Sequence, residues 1–402
     1  MALSSLPQDI KQYLIITGNY WAFTLTDGAL RMLVVLYFHQ LGYSPISIAM
    51  LFLFYEVFGV VTNLLGGWLG ARLGLNKTMN VGLGLQVVAI VMLAIEPQWL
   101  SVAYVMCAQA LSGIAKDLNK MSAKSAIKLL VPKDADSILY KWVALLTGSK
   151  NALKGVGFFL GAMLLSLLGF AGALWSMAGM LGVTWFMSIC LLKQDLGKKK
   201  HKPKFSEIFS KSRSINLLSA ARLCLFASRD VWFVVALPVY LSSQFGWEHT
   251  WVGGFMATWV ILYGIVQANA PKLTGKPNTI HDSIQTAVAW VVPLTVIPLC
   301  IVVGLNLDIT PLWVIVVGLL VFGAVFAINS SLHSYLIVKL ADSDGVSLDV
   351  GFYYMANAMG RLFGTVFSGL IYQFYGLSAC LIVSAVLLGC TVIITKKLQK
   401  VN

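Results

Sequence analysis

Lys193-Gln194-Asp195-Leu196-Gly197-Lys198-Lys199-Lys200-His201-Lys202-Pro203-Lys204 continues through Phe205 to Arg213 as the longest polar stretch of the chain. Eight of the 29 Lys and Arg residues fall between Lys193 and Arg213, and apolar segments dominate the sequence on either side. Before it lie apolar segments at 13–39, 46–69, 79–95, 98–119, 138–167 and 171–192; after it lie segments at 216–242, 249–270, 284–305, 310–337, 347–374 and 377–395. A helix needs roughly 20 apolar residues to cross a bilayer core, so the stretch divides six predicted spans from six more. The expected organisation is an N-terminal six-helix bundle over 1–192, a basic linker over 193–215 and a C-terminal six-helix bundle over 216–402.

Composition agrees. Hydrophobic residues make up 58% of the 402 residues and charged residues 11%, with a mean hydropathy of +0.81. These values exclude an ordinary soluble domain and fit a polytopic, all-α membrane protein. A net charge of +13 would suit nucleic acid, but the basic residues flank apolar spans, as the positive-inside rule requires. Nucleic acid is therefore not an expected partner; the lipid bilayer is. The connections near Gly42, Glu96, Ala171, Trp247, Asp308 and Gly376 carry no Lys or Arg and are expected to face outward, which puts both termini and the linker in the cytoplasm. The first span follows Asp9 and Lys11 without a small-residue cleavage site and reads as a retained helix.

Paired features recur across the linker. Asp27 and Asp230 are 203 residues apart, Arg72-Leu73 and Lys272-Leu273 are 200 apart, and Lys154 and Arg361 are 207 apart. Lys154-x-x-Gly157 reaches Gly169 with the spacing by which Arg361-x-x-Gly364 reaches Gly376, and Asn151-Ala152 and Asn357-Ala358 lie just before. Two parallel six-helix repeats joined by a basic loop resemble the major facilitator superfamily. The connection Gly67-Trp68-Leu69-Gly70-Ala71-Arg72-Leu73-Gly74-Leu75-Asn76-Lys77 is similar to that family's Gly-x-Leu-x-Asp-Arg-x-Gly-x-x-Lys loop. Ala71 stands where the family has Asp, and the family's Arg in span 4 is missing near Gln109.

A closer resemblance lies in Gly18-Asn19-Tyr20-Trp21-Ala22-Phe23-Thr24-Leu25-Thr26-Asp27-Gly28-Ala29-Leu30-Arg31 and Ser112-Gly113-Ile114-Ala115-Lys116-Asp117-Leu118-Asn119-Lys120-Met121-Ser122-Ala123-Lys124. Both are similar to the ArsJ family of bacterial organoarsenical efflux permeases. The resemblance implies a multi-pass protein of the bacterial inner membrane that exports 1-arseno-3-phosphoglycerate and confers arsenate resistance. It also implies a functional link to the glyceraldehyde-3-phosphate dehydrogenase that makes the ester.

The residues bear on that expectation independently. A doubly anionic substrate in a low-dielectric cavity needs fixed cations; Arg matches tetrahedral oxyanions bidentately, and Lys serves as a point charge. Six cations lie inside predicted spans: Arg31, Lys150, Lys154, Arg222, Arg229 and Arg361. A bare charge there costs several kcal/mol on most estimates. Arg31, Lys150, Lys154, Arg229 and Arg361, with Asn357, are the substrate-binding candidates, and Lys154 with Arg361 is expected to face one cavity. The alternative is a set of buried ion pairs that fix packing. Asp27 and Arg31 are spaced i,i+4, Asp230 adjoins Arg229, and Glu56 sits within span 2. These three carboxylates either neutralise the cations or include one that takes up a proton when substrate leaves, the behaviour of an antiporter. Lys116, Lys120, Lys124 and Lys128 recur every four residues along one stripe. They read either as snorkelling lysines or as a funnel for anions, with Lys116, Lys120 and Arg222 the candidate cytoplasmic access residues.

Cys107, Cys190, Cys224, Cys300, Cys380 and Cys390 show no clustered spacing and are expected to be buried thiols. Trivalent arsenic favours clustered thiolates, so the inventory favours a pentavalent ester over arsenite. The five His residues are dispersed, no metal or cofactor site is visible, and His333 reads as a core residue or a hydrogen-bond donor in the cavity. No Gly-x-x-x-x-Gly-Lys-Ser/Thr loop is present, which points to a monomeric secondary carrier rather than an enzyme. The runner-up is a carrier of another organic phosphate or anionic metabolite, followed by a non-transporting sensor or membrane enzyme.

Overall fold

The computed structural model describes residues 8–43, 51–130, 136–192, 212–247, 249–275, 279–307, 310–343 and 346–401. Its helices are α1 (Gln8–Gln40), α2 (Leu53–Leu73), α3 (Leu75–Leu93), α4 (Val102–Leu130), α5 (Asp136–Leu191), α6 (Arg213–Phe233), α7 (Ala236–Phe245), α8 (His249–Thr274), α9 (Ile280–Leu305), α10 (Pro311–Leu340) and α11 (Val346–Gln399). Among the described residues there is no strand, and the one departure from α-helix named as an element is a 3-10 turn at Pro97–Trp99. Lipid offers no partner for backbone N–H and C=O groups, so a chain of this composition satisfies them within helices. The surface matches: Phe159, Leu167, Trp251 and Phe374 are 65 to 71% exposed, while Asn119, Ser125, Gln267, Asn329 and His333 are buried.

Among the described residues the count is twelve spans, because α5 and α11 are each two spans folded at one residue, and α6 with α7 makes a single span. The folds occur at Gly169 (φ 68°, ψ −179°) and Gly376 (φ 74°, ψ −174°). This backbone region is open essentially to glycine alone. Their equal distance from Lys154 and Arg361 in sequence thus becomes equal geometry. Between α6 and α7 the helix breaks at Val234 and Val235 because Pro238 supplies no N–H to the Val234 carbonyl. The Ser368 hydroxyl accepts from the N–H groups of Val235 and Ala236 at 3.3 and 3.0 Å.

Helix boundaries differ from the sequence expectation by a few residues at several ends, α1 starting at Gln8 rather than 13 and α3 at Leu75 rather than 79, and by most at the end of span 4. Span 4 was expected to end at 119, but α4 runs on to Leu130, with Asp117 through Ile127 buried throughout. Polar residues that hydropathy assigns to a connection remain helical because other side chains cover them.

Packing divides the chain into two compact units. The first takes in Met1–Ala135, Ser149–Phe209 and Ala341–Met355; the second takes in Asp136–Gly148, Ser210–Leu340 and Ala356–Asn402. The beginnings of α5 and α11 thus each join the opposite sequence half. In the first unit α1 crosses α5 so closely that a Cβ on Gly28 would lie 2.7 Å from the Lys154 carbonyl, and one on Gly157 would lie 2.6 Å from the Leu25 carbonyl. In the second unit a Cβ on Gly364 would lie 2.8 Å from the Asp230 Cβ and 2.9 Å from the Ala227 carbonyl. The two cation-x-x-Gly motifs therefore do the same packing work, each seating a later helix on the first helix of its repeat.

Candidate functional site

In the first unit the charges collect around Tyr55 of α2. Its hydroxyl donates to Asp27 Oδ1 of α1 at 2.6 Å. The Arg31 guanidinium lies 4.9 Å from the centroid of its ring, and the Lys116 ammonium of α4 lies 3.8 Å from it. Such cation–π contacts gain strength when desolvated, and Tyr55 is 3% exposed. Arg31 also bonds Glu56 at 3.1 Å and approaches the Phe52 ring at 5.1 Å. The i,i+4 spacing of Asp27 and Arg31 thus gives way to contacts across to α2, Asp27 with Tyr55 and Arg31 with Glu56.

The stripe on α4 is built in, not splayed at an interface. Asp117 lies 2.5 Å from Lys120 and 4.0 Å from Lys116. Lys120 and Lys124 sit 4.8 and 4.9 Å from the Tyr354 ring of α11; Lys128 bonds the Ala341 carbonyl. Lys120 and Lys124 are 9% and 2% exposed, which corrects the snorkelling alternative: both heads are held by protein. Lys150 and Lys154 lie half-buried one turn apart on the first arm of α5.

In the second unit Arg229 of α6 contacts Asp230 through Nε at 2.6 Å and Nη2 at 2.5 Å. Arg361 of α11 reaches the other oxygen of Asp230 at 3.5 Å. One carboxylate, 1% exposed, therefore lies between two guanidinium groups. The face of Arg229 rests on Phe226, Phe233 and Phe326 at 4.9, 5.8 and 5.4 Å. Beneath these rings is an aromatic core in which Trp232 meets Phe322 edge-on at 5.1 Å and Trp259 donates to the Leu319 carbonyl at 2.8 Å. Two turns along α6, Arg222 donates from Nε to Asn357 Oδ1 at 2.8 Å and from Nη1 to the Ser330 carbonyl at 3.1 Å. Its guanidinium lies 4.0 Å from the Phe226 centroid. It is 3% exposed, so the snorkelling alternative does not describe it either.

The candidates thus form one constellation in each unit: Asp27, Arg31, Glu56, Lys116 and Lys120 with Tyr55, and Arg222, Arg229, Asp230, Asn357 and Arg361 with Phe226. Sequence reasoning missed Asp117, Tyr55 and Tyr354. The signal for Asp117 was present as an acid three residues before Lys120 inside a lysine stripe. Nothing in one sequence marks Tyr55 or Tyr354 among 14 tyrosines. Cys107, Cys190, Cys300 and Cys390 are exposed and Cys224 is intermediate, which corrects the expectation of buried thiols; only Cys380 is buried. A thiol on a lipid-facing span has no need to hide, since it is nearly apolar. Among the described residues no group of three His, Cys, Asp or Glu could hold a metal.

The fold has many relatives. The chain is similar to the human organic anion transporter TETRAN (TM-score 0.76, 15% identity, 97% of this chain and 100% of that one covered). It is equally similar to a bacterial homologue of the iron transporter ferroportin in an outward-facing state (TM-score 0.75, 14% identity, 98% and 100% covered). A third likeness is to the E. coli fucose:proton symporter (TM-score 0.75, 10% identity, 98% and 99% covered). No curated protein sequence matches. The family model of the Major Facilitator Superfamily matches residues 16–342. Twelve spans in a duplicated arrangement, buried cations and that match together make this chain a member of the Major Facilitator Superfamily, a multi-pass secondary transporter of small substrates rather than an enzyme.

Proposed function

We propose that this transporter exports an anionic organoarsenical, 1-arseno-3-phosphoglycerate, from the bacterial cytoplasm, and so confers resistance to arsenate. The observation that carries the reading is the chemistry of the second unit. Arg229 on α6 and Arg361 on α11 share a single acid, Asp230, while Arg222, two turns along α6, meets Arg229 at the Phe226 ring, so that two of the guanidinium groups are oriented by aromatic faces. Oriented forks match tetrahedral oxyanions, and arsenate and phosphate esters present them equally. The ArsJ resemblance of residues 18–31 and 112–124 supports the arsenical as the physiological cargo. Arg31, Lys150, Lys154, Arg229, Arg361 and Asn357 are the residues proposed to hold it. Lys116, Lys120 and Arg222 serve access, and Asp27, Glu56 or Asp230 supplies counter-charge or proton coupling in an antiporter. The proposed topology places both termini and the 193–215 linker in the cytoplasm of a monomer.

The test is uptake by everted membrane vesicles given the ester made in place by glyceraldehyde-3-phosphate dehydrogenase with arsenate. Accumulation that depends on the transporter supports the reading. Vesicles that accumulate 3-phosphoglycerate but not the ester point to a carrier of organic phosphates. Cells should keep arsenate resistance when all six cysteines are replaced; resistance to arsenite that disappears with the cysteines would require thiol chemistry instead.

A further inference from the structure

The nest around Arg222 holds a residue that packing leaves unanswered. His333 of α10 is fully buried, and among the described residues neither of its ring nitrogens has a hydrogen-bond partner. It stands three residues beyond Ser330, whose carbonyl accepts from Arg222, so the two share a face of the helix. It is also within electrostatic range of that guanidinium. Arg222 is fixed on three sides, by Asn357, by the Ser330 carbonyl and by the Phe226 ring. Gln267 of α8 closes the same corner by donating to the Ser330 hydroxyl at 3.0 Å. A buried polar group with no hydrogen bond is costly, and each one in a native protein calls for an explanation, a bound partner being one of them.

We propose that Arg222, beyond the access role given it above, joins His333 and Asn357 in a substrate subsite within the second unit that recognises an oxyanion group bearing a neighbouring hydroxyl. The proposal rests on the anion-export reading and adds a selectivity to it. A guanidinium supplies donors only and takes the oxyanion. A neutral imidazole has one donor and one acceptor nitrogen, and a fully ionised carboxylate or phosphate, which only accepts, satisfies half of it. A hydroxyl both donates and accepts, and so matches the other half. The three side chains are closed to solvent in this state; a carrier exposes its site by turns, and the subsite fills when its side opens.

Purified transporter in detergent is followed by thermal unfolding as 3-phosphoglycerate, its analogue without the hydroxyl (3-phosphooxypropionate) or inorganic phosphate is titrated. The hydroxylated anion should stabilise the wild type at a concentration about tenfold lower than the analogue or less, since a site built around a hydroxyl rejects ligands lacking it. His333→Phe should bring the two anions within about twofold of each other. His333→Gln, which keeps a donor and an acceptor, should retain part of the preference and serves if the first variant fails to fold. A folded His333→Phe protein that keeps the tenfold preference overturns the subsite, as does a wild type stabilised equally by both organic anions. A wild type that no oxyanion stabilises overturns the anion reading beneath it.

Discussion

The two units carry buried cations in different company. In the first, each described cluster has an acid of its own: Glu56 for Arg31, and Asp117 for Lys116 and Lys120, with Asp27 held by the Tyr55 hydroxyl. In the second, Asp230 is shared by Arg229 and Arg361, and the guanidinium faces are carried on Phe226, Phe233 and Phe326. Lysines dominate one set and arginines the other. Rings flank the first unit's cations too, Arg31 and Lys116 at Tyr55 and Lys120 and Lys124 at Tyr354, so the difference lies in how the acids are shared. The duplicated fold thus holds separate acid–cation clusters in one unit and one carboxylate shared by two guanidinium groups in the other.

The comparison breaks most visibly at Asp117. Asp117→Asn removes the carboxylate from the Lys116–Lys120 cluster, and breaking a buried pair of this kind costs about 3 to 5 kcal/mol. The variant should accumulate poorly in the membrane, and Asp117→Asn combined with Lys120→Met should recover much of the abundance. A single variant of normal abundance and thermal stability would show that the first unit does not depend on its acids.

Next in size are the repeat-related cations. Lys154→Ala and Arg361→Ala should be present at normal levels yet lose ester transport, a deficit of about 2 to 5 kcal/mol if each holds a substrate oxyanion. Arg361→Lys should restore only part, because the charge returns without the fork. Membrane abundance and vesicle uptake are measured together; normal uptake by both alanine variants would remove these residues from the proposed site.

Tyr55→Phe sharpens the contrast further, since it deletes the bond to Asp27 and keeps the ring between Arg31 and Lys116. A hydrogen bond to a charged group contributes about 1.5 to 3 kcal/mol, so the melting temperature in detergent should fall moderately, and Tyr55→Leu should lower it more. Equal loss in both would mean that the ring contributes nothing. The smallest effect belongs to Glu56→Gln. The Arg31 and Glu56 side chains are 28% and 37% exposed, and ion pairs so accessible contribute about 0 to 1 kcal/mol. Unfolding should be almost unchanged, and a large loss would place Glu56 with the buried acids.

Sequence alone made the twelve spans legible because hydropathy and glycine placement are local properties. The positions of Gly169 and Gly376 even revealed the duplication. The cationic candidates were legible too, since a charge inside an apolar run stands out whatever its partners. What stayed hidden depends on tertiary cover. Lys120 and Lys124 look like the end of a span until Tyr354, more than 200 residues later, is packed on them. Asp27 looks like the partner of Arg31 until α2 offers each a different one. His333 is ordinary in sequence, and only the folded chain shows both its ring nitrogens buried with no hydrogen-bond partner among the described residues.

Gly169 and Gly376 also constrain how the protein is made and handled. Each holds two spans in one element, 56 residues in α5 and 54 in α11, with no loop between them. Such a pair has no slack for its halves to enter the bilayer at leisure, so insertion during synthesis favours delivery as a hairpin. For the same reason an inserted epitope tag would split a helix pair at either corner, and reporters of sidedness belong at the longer connections.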